Sequence, residues 1–232
     1  LLEDYKVYNI DEWKHIFKLD PAKEISEERI DKICESGTDA IMVGGTDDVT
    51  LDGVLQLLSR IRRHTVPVIL EISNIESVTP GYDYYFVPLV LNSQDKKWMM
   101  DVQHQAVVEY GDIINWDEMF AEGYCIMNEE SKVFQHAGCK LPTQDEAIAY
   151  ARMAEHLFHL PFFYLEYSGT YGDPSLVQSV SQELGHTKLI YGGGIETKEQ
   201  AAVMSEYADI IVVGNALYDN PKEALKTVKV TK

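Results

Sequence analysis

The 232-residue sequence carries 20 Lys and Arg against 38 Asp and Glu, a formal charge of −18 with histidines neutral, which argues against a nucleic-acid binder because phosphate backbones are held by clustered positive charge. Hydrophobic residues at 45% and charged residues at 25% place it with globular proteins and away from disordered chains. A chain of this length makes either two small domains or one α/β barrel of roughly 200 to 250 residues.

Short apolar runs alternate with stretches of helical period from end to end. Residues 15–20 read as a first strand closed by Pro21, and 26–36 as a helix with Ser26 as its N-cap and Gly37 as its stop. Residues 39–45 form the second strand. In 48–64, Val49, Leu51, Val54, Leu55, Leu58 and Ile61 recur at spacings near three and four, which predicts an amphipathic helix. Residues 66–71 and 84–91 read as strands, 98–110 as a helix, 124–129 as a strand and 143–159 as a long helix. The last third repeats the unit, with strands at 162–167, 188–193 and 210–214 separated by helices at 174–184 and 198–205.

Strands that are nearly unbroken apolar runs are buried on both faces, as parallel strands are beneath crossover helices. Eight strands in 232 residues predict one (β/α)8 TIM barrel domain spanning residues 1–232, in preference to an open doubly wound sheet. One unit is defective. Residues 72–83 contain Pro80 and Gly81 and are too few for a loop, a helix and another loop, so the third helix is expected to be missing or replaced by a loop. Tyr82, Tyr84, Phe86, Trp98 and Met99 lie near the expected gap and read first as core.

Cys34, Cys125 and Cys139 are odd in number and hold no CxxC pair, so neither a disulfide framework nor a zinc knuckle is expected and the cytoplasm is the default compartment. Residues 1–10 carry Glu3 and Asp4 without a basic region followed by an apolar run, so no secretory leader is expected. No stretch reaches the roughly 18 uninterrupted apolar residues of a spanning helix, which leaves peripheral membrane contact. None of the seven histidines falls at a strand end beside a nucleophile and a carboxylate, and His104, His136 and His156 read as surface or structural.

Barrel chemistry gathers at the C-terminal ends of strands, and phosphate commonly sits on the loops after strands seven and eight. Those loops here are Tyr191-Gly192-Gly193-Gly194-Ile195 and Val213-Gly214-Asn215, whose glycines let backbone N–H groups approach an anion. Neither is a dinucleotide fingerprint. Strand six ends in Tyr164-Leu165-Glu166-Tyr167-Ser168-Gly169, and the period of two puts Tyr164 and Glu166 on one side. Glu166 can accept a proton from a substrate hydroxyl, or it is a solvated strand-end glutamate. Strand one ends in Lys18-Leu19-Asp20-Pro21, where Lys18 can meet a phosphate oxygen and Asp20 can hold Mg²⁺, or the two form an internal salt bridge. After strand two, Thr46 offers an oxygen to a metal or phosphate and Asp48 is a candidate helix cap.

Together these segments resemble the geranylgeranylglyceryl and heptaprenylglyceryl phosphate synthase family, with the bacterial heptaprenyl branch the nearer. The resemblance is carried by Lys18-Leu19-Asp20-Pro21, Gly44-Gly45-Thr46, Tyr164 to Gly169, Tyr191 to Ile195 and Val213-Gly214-Asn215. It implies a magnesium-dependent prenyltransferase on a TIM barrel, joining a long polyprenyl diphosphate to sn-glycerol 1-phosphate with release of diphosphate, and a homodimer. By the same resemblance Lys18, Tyr164, Leu165, Glu166, Tyr167, Ser168, Gly169, Gly194, Gly214 and Asn215 would bind glycerol 1-phosphate, and Asp20 and Thr46 would hold Mg²⁺. Residues 128–141 match less well and receive no role. From the residues alone, a sugar-phosphate isomerase or lyase and a noncatalytic phosphate-binding module also fit the glycine loops. The missing third helix would open a groove for the prenyl tail, hidden from water at about 0.8 kcal/mol per methylene.

Overall fold

The computed structural model describes residues 8–230; most of the N-terminal stretch read above as no leader lies outside them. Alternation along the strands produces two cores. One face of each strand packs inside a cylinder, around Ile16, Met42, Phe86, Phe162, Tyr164 and Ile190, and the other meets the helices through residues such as Phe17, Ile41, Phe163 and Ile211. The strands are β1 (His15–Leu19), β2 (Ala40–Val43), β3 (Val68–Glu71), β4 (Tyr84–Val90), β5 (Met119–Ile126), β6 (Phe162–Glu166), β7 (Lys188–Gly192) and β8 (Ile210–Val213). They pair in sequence order, all parallel, and β8 closes on β1. The expected TIM barrel is therefore the fold.

The helices are α1 (Glu27–Cys34), α2 (Leu51–Ile61), α3 (Asp101–Tyr110), α4 (Lys132–His136), α5 (Gln144–Met153), α6 (Pro174–Ser181), α7 (Lys198–Ser205), α8 (Ala216–Asp219) and α9 (Pro221–Ala224). Ser26 caps α1 as expected, its side chain accepting from the Arg29 N–H. Asp48 is not the cap of α2: Thr50 accepts from the Gly53 N–H, and Asp48 sits in the left-handed region at φ 56°. A full capping box, Thr143 with Glu146, starts α5, and its last turn loosens into a π-turn over Ala154–Phe158 ended by His159 at φ 50°. At the N-terminal end of the barrel His15 lies buried between the hydroxyls of Thr38 and Thr227, each at 2.9 Å.

One departure from the sequence reading matters for the site. Strand five begins at Met119 and ends at Ile126, not at 124–129, because it pairs along nearly the whole length of the long β4 and turns away once Met127 donates its N–H to the Glu166 carbonyl. The gap is as expected: between β3 and β4 the chain makes only a single 3-10 turn, Ile75–Ser77. The next helix, α3, buries none of its residues and has no side-chain N-cap. It stands off from the barrel, and a cavity of about 680 Å³ opens between them.

Candidate active site

The cavity begins at the C-terminal mouth of the barrel. Lys18, Thr46, Glu71, Tyr124, Glu166 and Ser168 line that end, and Val78, Leu89, Val102, Ala106, Ile113 and Trp116 line the part that runs out through the helical gap. A charged end joined to an apolar end is the shape a ligand with an anionic head and a hydrocarbon tail requires.

Glu166 is the last residue of β6 and only 6% exposed. One carboxylate oxygen accepts from the Tyr124 hydroxyl at 2.8 Å and the other from the backbone N–H of Ser168. Burial pushes its pKa above the ordinary carboxylate range, the Lys18 ammonium pulls it back, and the Glu71 charge adds to the rise. The result is a stronger base than a solvated glutamate, already oriented by two donors. Tyr164 stands beside it, with its ring 4.8 Å from that of Tyr124, and burial pushes both phenols far up so that they remain neutral donors.

Lys18, two residues before Asp20 on β1, does not pair with that aspartate. Its ammonium meets Glu71, at the end of β3, at 2.5 Å. Burial alone would lower the lysine pKa, but Glu71 and Glu166 outweigh it and the net shift is upward, so the site keeps its cation. Glu122 on β5 is fully buried near the same three groups, and neither of its oxygens has a hydrogen-bond partner among the described residues. Burial and the Glu71 charge push its pKa well above the usual range against the pull of Lys18, favouring the neutral carboxyl.

The remaining residues singled out from the sequence divide into those at the mouth and those behind it. Asp20 accepts from the Ala22 N–H at 2.9 Å and faces the bare Cα of Gly45, where a Cβ would lie 2.6 Å from its Oδ1. The β1 and β2 loops can therefore present Asp20 and Thr46 together. Gly194, at φ 60°, packs on the β6 loop so tightly that a Cβ would stand 2.1 Å from the Tyr171 nitrogen. Gly169 faces the Asn215 amide, which also accepts a hydrogen bond from Lys23 at 3.0 Å. The loops after β6, β7 and β8 thus meet, with Gly214 open beside Lys18. Leu165 and Tyr167 lie elsewhere: both pack in the layer between sheet and helices, so their side chains do not reach the mouth.

Sequence reasoning missed Glu71, Glu122, Tyr124 and Lys23. Glu71 carried the same signal as Glu166, a carboxylate closing an apolar strand. It also gave no role to residues 128–141, yet α4 supplies Val133 and His136 to the cavity wall, and Lys132 ties that loop across to Asp47 at 2.5 Å. Of the aromatics near the gap, Tyr82, Tyr84 and Phe86 are core, whereas Trp98 lines the cavity beside His136.

The PcrB family model matches residues 8–232. Heptaprenylglyceryl phosphate synthase of Oceanobacillus iheyensis is 65% identical, covering 97% of this chain and 98% of that one, and the Geobacillus sp. enzyme of the same name is 60% identical over 97% and 100%. Among solved structures, (S)-3-O-geranylgeranylglyceryl phosphate synthase of Thermoplasma acidophilum, in complex with its substrate sn-glycerol-1-phosphate, superposes with a TM-score of 0.84 at 26% identity, covering 95% and 93% of the two chains. A match of this extent settles the family: the chain belongs to the PcrB family and is a prenyltransferase.

Proposed function

We propose that the enzyme joins a long polyprenyl diphosphate, heptaprenyl by its relatives' names, to the free primary hydroxyl of sn-glycerol 1-phosphate, releasing diphosphate. The observation that carries the reading is that Glu166 and Lys18 share one end of a cavity whose other end is an apolar groove through the missing third helix.

In this reaction the allylic C–O bond of the donor breaks and its electron pair leaves with the diphosphate. The acceptor oxygen forms the new ether bond to that carbon, and its proton passes to Glu166, whose raised pKa suits a general base. The glycine loops at Gly169, Gly194 and Gly214 fix the acceptor phosphate by backbone donors, with Lys18 and Asn215 beside them, which supplies the positioning term. The groove shields the tail at about 0.8 kcal/mol per methylene.

Asp20 and Thr46 fit Mg²⁺: both offer hard oxygens, and Asp20 lies in the space that Gly45 leaves clear. No cluster of three or more His, Cys, Asp or Glu placed for a metal occurs among the described residues, so the rest of a coordination shell would come from water and diphosphate. When bound, the ion would neutralise charge on the departing diphosphate.

Among the described residues no helix is long and apolar enough to cross a membrane. Ile113 and Trp116, exposed at the outer end of the groove, are where the tail would pass to a membrane surface in peripheral contact. Homodimerisation and a cytoplasmic location complete the proposal.

The test is incubation with labelled sn-glycerol 1-phosphate, Mg²⁺ and prenyl diphosphates of several lengths. An ether product that needs both substrates supports the reading. Turnover of a sugar phosphate without a prenyl donor, or phosphate binding with no product, would replace it by an isomerase or lyase, or by a noncatalytic module.

A further inference from the structure

Glu71 is 6% exposed and lines the same end of the cavity as Glu166 and Ser168. One of its oxygens meets the Lys18 ammonium at 2.5 Å, while the other, Oε1, is buried with no hydrogen-bond partner among the described residues. A buried carboxylate oxygen with no donor is costly, and native structures rarely leave one unless a ligand or water completes it. The fold makes room for this carboxylate. At Gly44 a Cβ would lie 2.8 Å from the glutamate Oε2, so the β2 end is kept bare where Glu71 lies.

Glycerol phosphate brings two neighbouring hydroxyls to the site. One is the nucleophile that Glu166 deprotonates, and the other needs an acceptor of its own. Lys18 has only donors to give. Glu122 also has bare oxygens, but it lies outside the cavity wall, and burial raises its pKa towards the neutral form. A diphosphate offers no donor and would be repelled.

Resting on the reaction given above, we propose that Glu71 Oε1 accepts the hydrogen bond of the acceptor's second, unreacting hydroxyl and thereby sets acceptor specificity. With the phosphate held by the glycine loops and the reacting hydroxyl by Glu166, Glu71 is the third point of attachment. Three points distinguish mirror images, so the same contact selects sn-glycerol 1-phosphate over sn-glycerol 3-phosphate.

The test compares kcat/KM for sn-glycerol 1-phosphate, sn-glycerol 3-phosphate and 3-hydroxypropyl phosphate, which lacks the second hydroxyl, in wild type, Glu71→Gln and Glu71→Ala. Wild type favours sn-glycerol 1-phosphate over the deoxy analogue by roughly tenfold to a hundredfold, the size of a hydrogen bond to a charged group. Glu71→Ala brings that ratio, and the preference between mirror images, to within about threefold, and Glu71→Gln, which keeps an uncharged acceptor, falls between. If both variants slow every acceptor equally and leave the ratios untouched, Glu71 acts only through Lys18 and the proposal fails. It fails equally if wild type does not discriminate, a result that needs no variant to fold. Absence of any ether product from wild type would instead overturn the reaction itself.

Discussion

Replacing Gly194 by alanine tests whether the loops after β6 and β7 position the acceptor. The new Cβ would stand 2.1 Å from the Tyr171 nitrogen and 2.3 Å from the Thr170 carbonyl carbon, both backbone atoms that no rotamer change can clear. Real contacts lie beyond 3.0 Å, so the loops must part by about 1 Å. The left-handed φ of 60° adds about 1–2 kcal/mol of strain for a residue with a Cβ. Ser168 and Gly169 lie on the displaced loop, and misplacement by about 1 Å costs on the order of a hundredfold in rate. Gly214→Ala is the control, since its Cβ would meet nothing closer than the Lys18 carbonyl at 3.6 Å. Steady-state kinetics with thermal melts gives the readout. Gly194→Ala is expected to melt several degrees lower and to lose roughly a hundredfold in kcat/KM for glycerol phosphate. Gly214→Ala keeps its Tm and raises the acceptor KM, because only a phosphate packed against that Cα feels the methyl group. Wild-type kinetics in Gly194→Ala, or an unchanged acceptor KM in Gly214→Ala, would refute the placement of the phosphate on these loops.

Three further outcomes follow from the same structure. Glu122 holds its proton in the folded state above the pH at which the unfolded chain releases it, so wild-type stability falls as pH rises above the ordinary glutamate range. Glu122→Gln removes that loss, and its Tm advantage over wild type in melts from pH 5 to 8 grows with pH; a constant difference would contradict a protonated Glu122. Burial pushes the Glu155 pKa up, but the N–H groups of Thr187, Gly185 and His186 outweigh it and bring the carboxylate to about 2 from an ordinary 4.5. This contribution, roughly 3 kcal/mol, is fully present above pH 4.5 and is lost as pH falls through about 2. Glu155→Gln is therefore expected to lose most of it in urea unfolding at pH 7 and little at pH 2. Chelation is expected to stop turnover until Mg²⁺ is restored, and Asp20→Asn to raise the Mg²⁺ concentration for half-maximal rate; turnover unaffected by chelation would remove Asp20 and Thr46 from the metal.

The strands that sequence located well, β1, β6, β7 and β8, are nearly unbroken apolar runs, interrupted in β1 only by Lys18, and are ended by Asp20-Pro21, by Glu166 or by glycine, so their burial and their stops are both local signals. Strand five was displaced because Ala121-Glu122-Gly123 interrupts its apolar run, and a buried glutamate reads as a loop residue until the barrel around it is known. The five-residue α4 is too short for a period to register, and the π-turn at Ala154–Phe158 follows an unbroken helical pattern. At the site, the period of two that places Tyr164 and Glu166 inside the barrel sends Leu165 and Tyr167 outward, so a contiguous motif overstates which side chains line the mouth. Partnerships were less legible than positions. Lys18 stands near Asp20 in sequence yet pairs with Glu71 on β3, a contact made by barrel closure and not by spacing.

If Glu166 takes the acceptor's proton while other groups hold the acceptor, changing Glu166 separates rate from binding. Single-turnover rates and acceptor Kd measured for wild type and Glu166→Gln test it most directly. The amide keeps the side chain's shape and can still accept from Tyr124 or Ser168 but cannot act as a base. The expected rate is at least on the order of a hundredfold lower, with Kd changed by less than about threefold. A variant that turns over at the wild-type rate, or one whose whole defect lies in Kd, would contradict it.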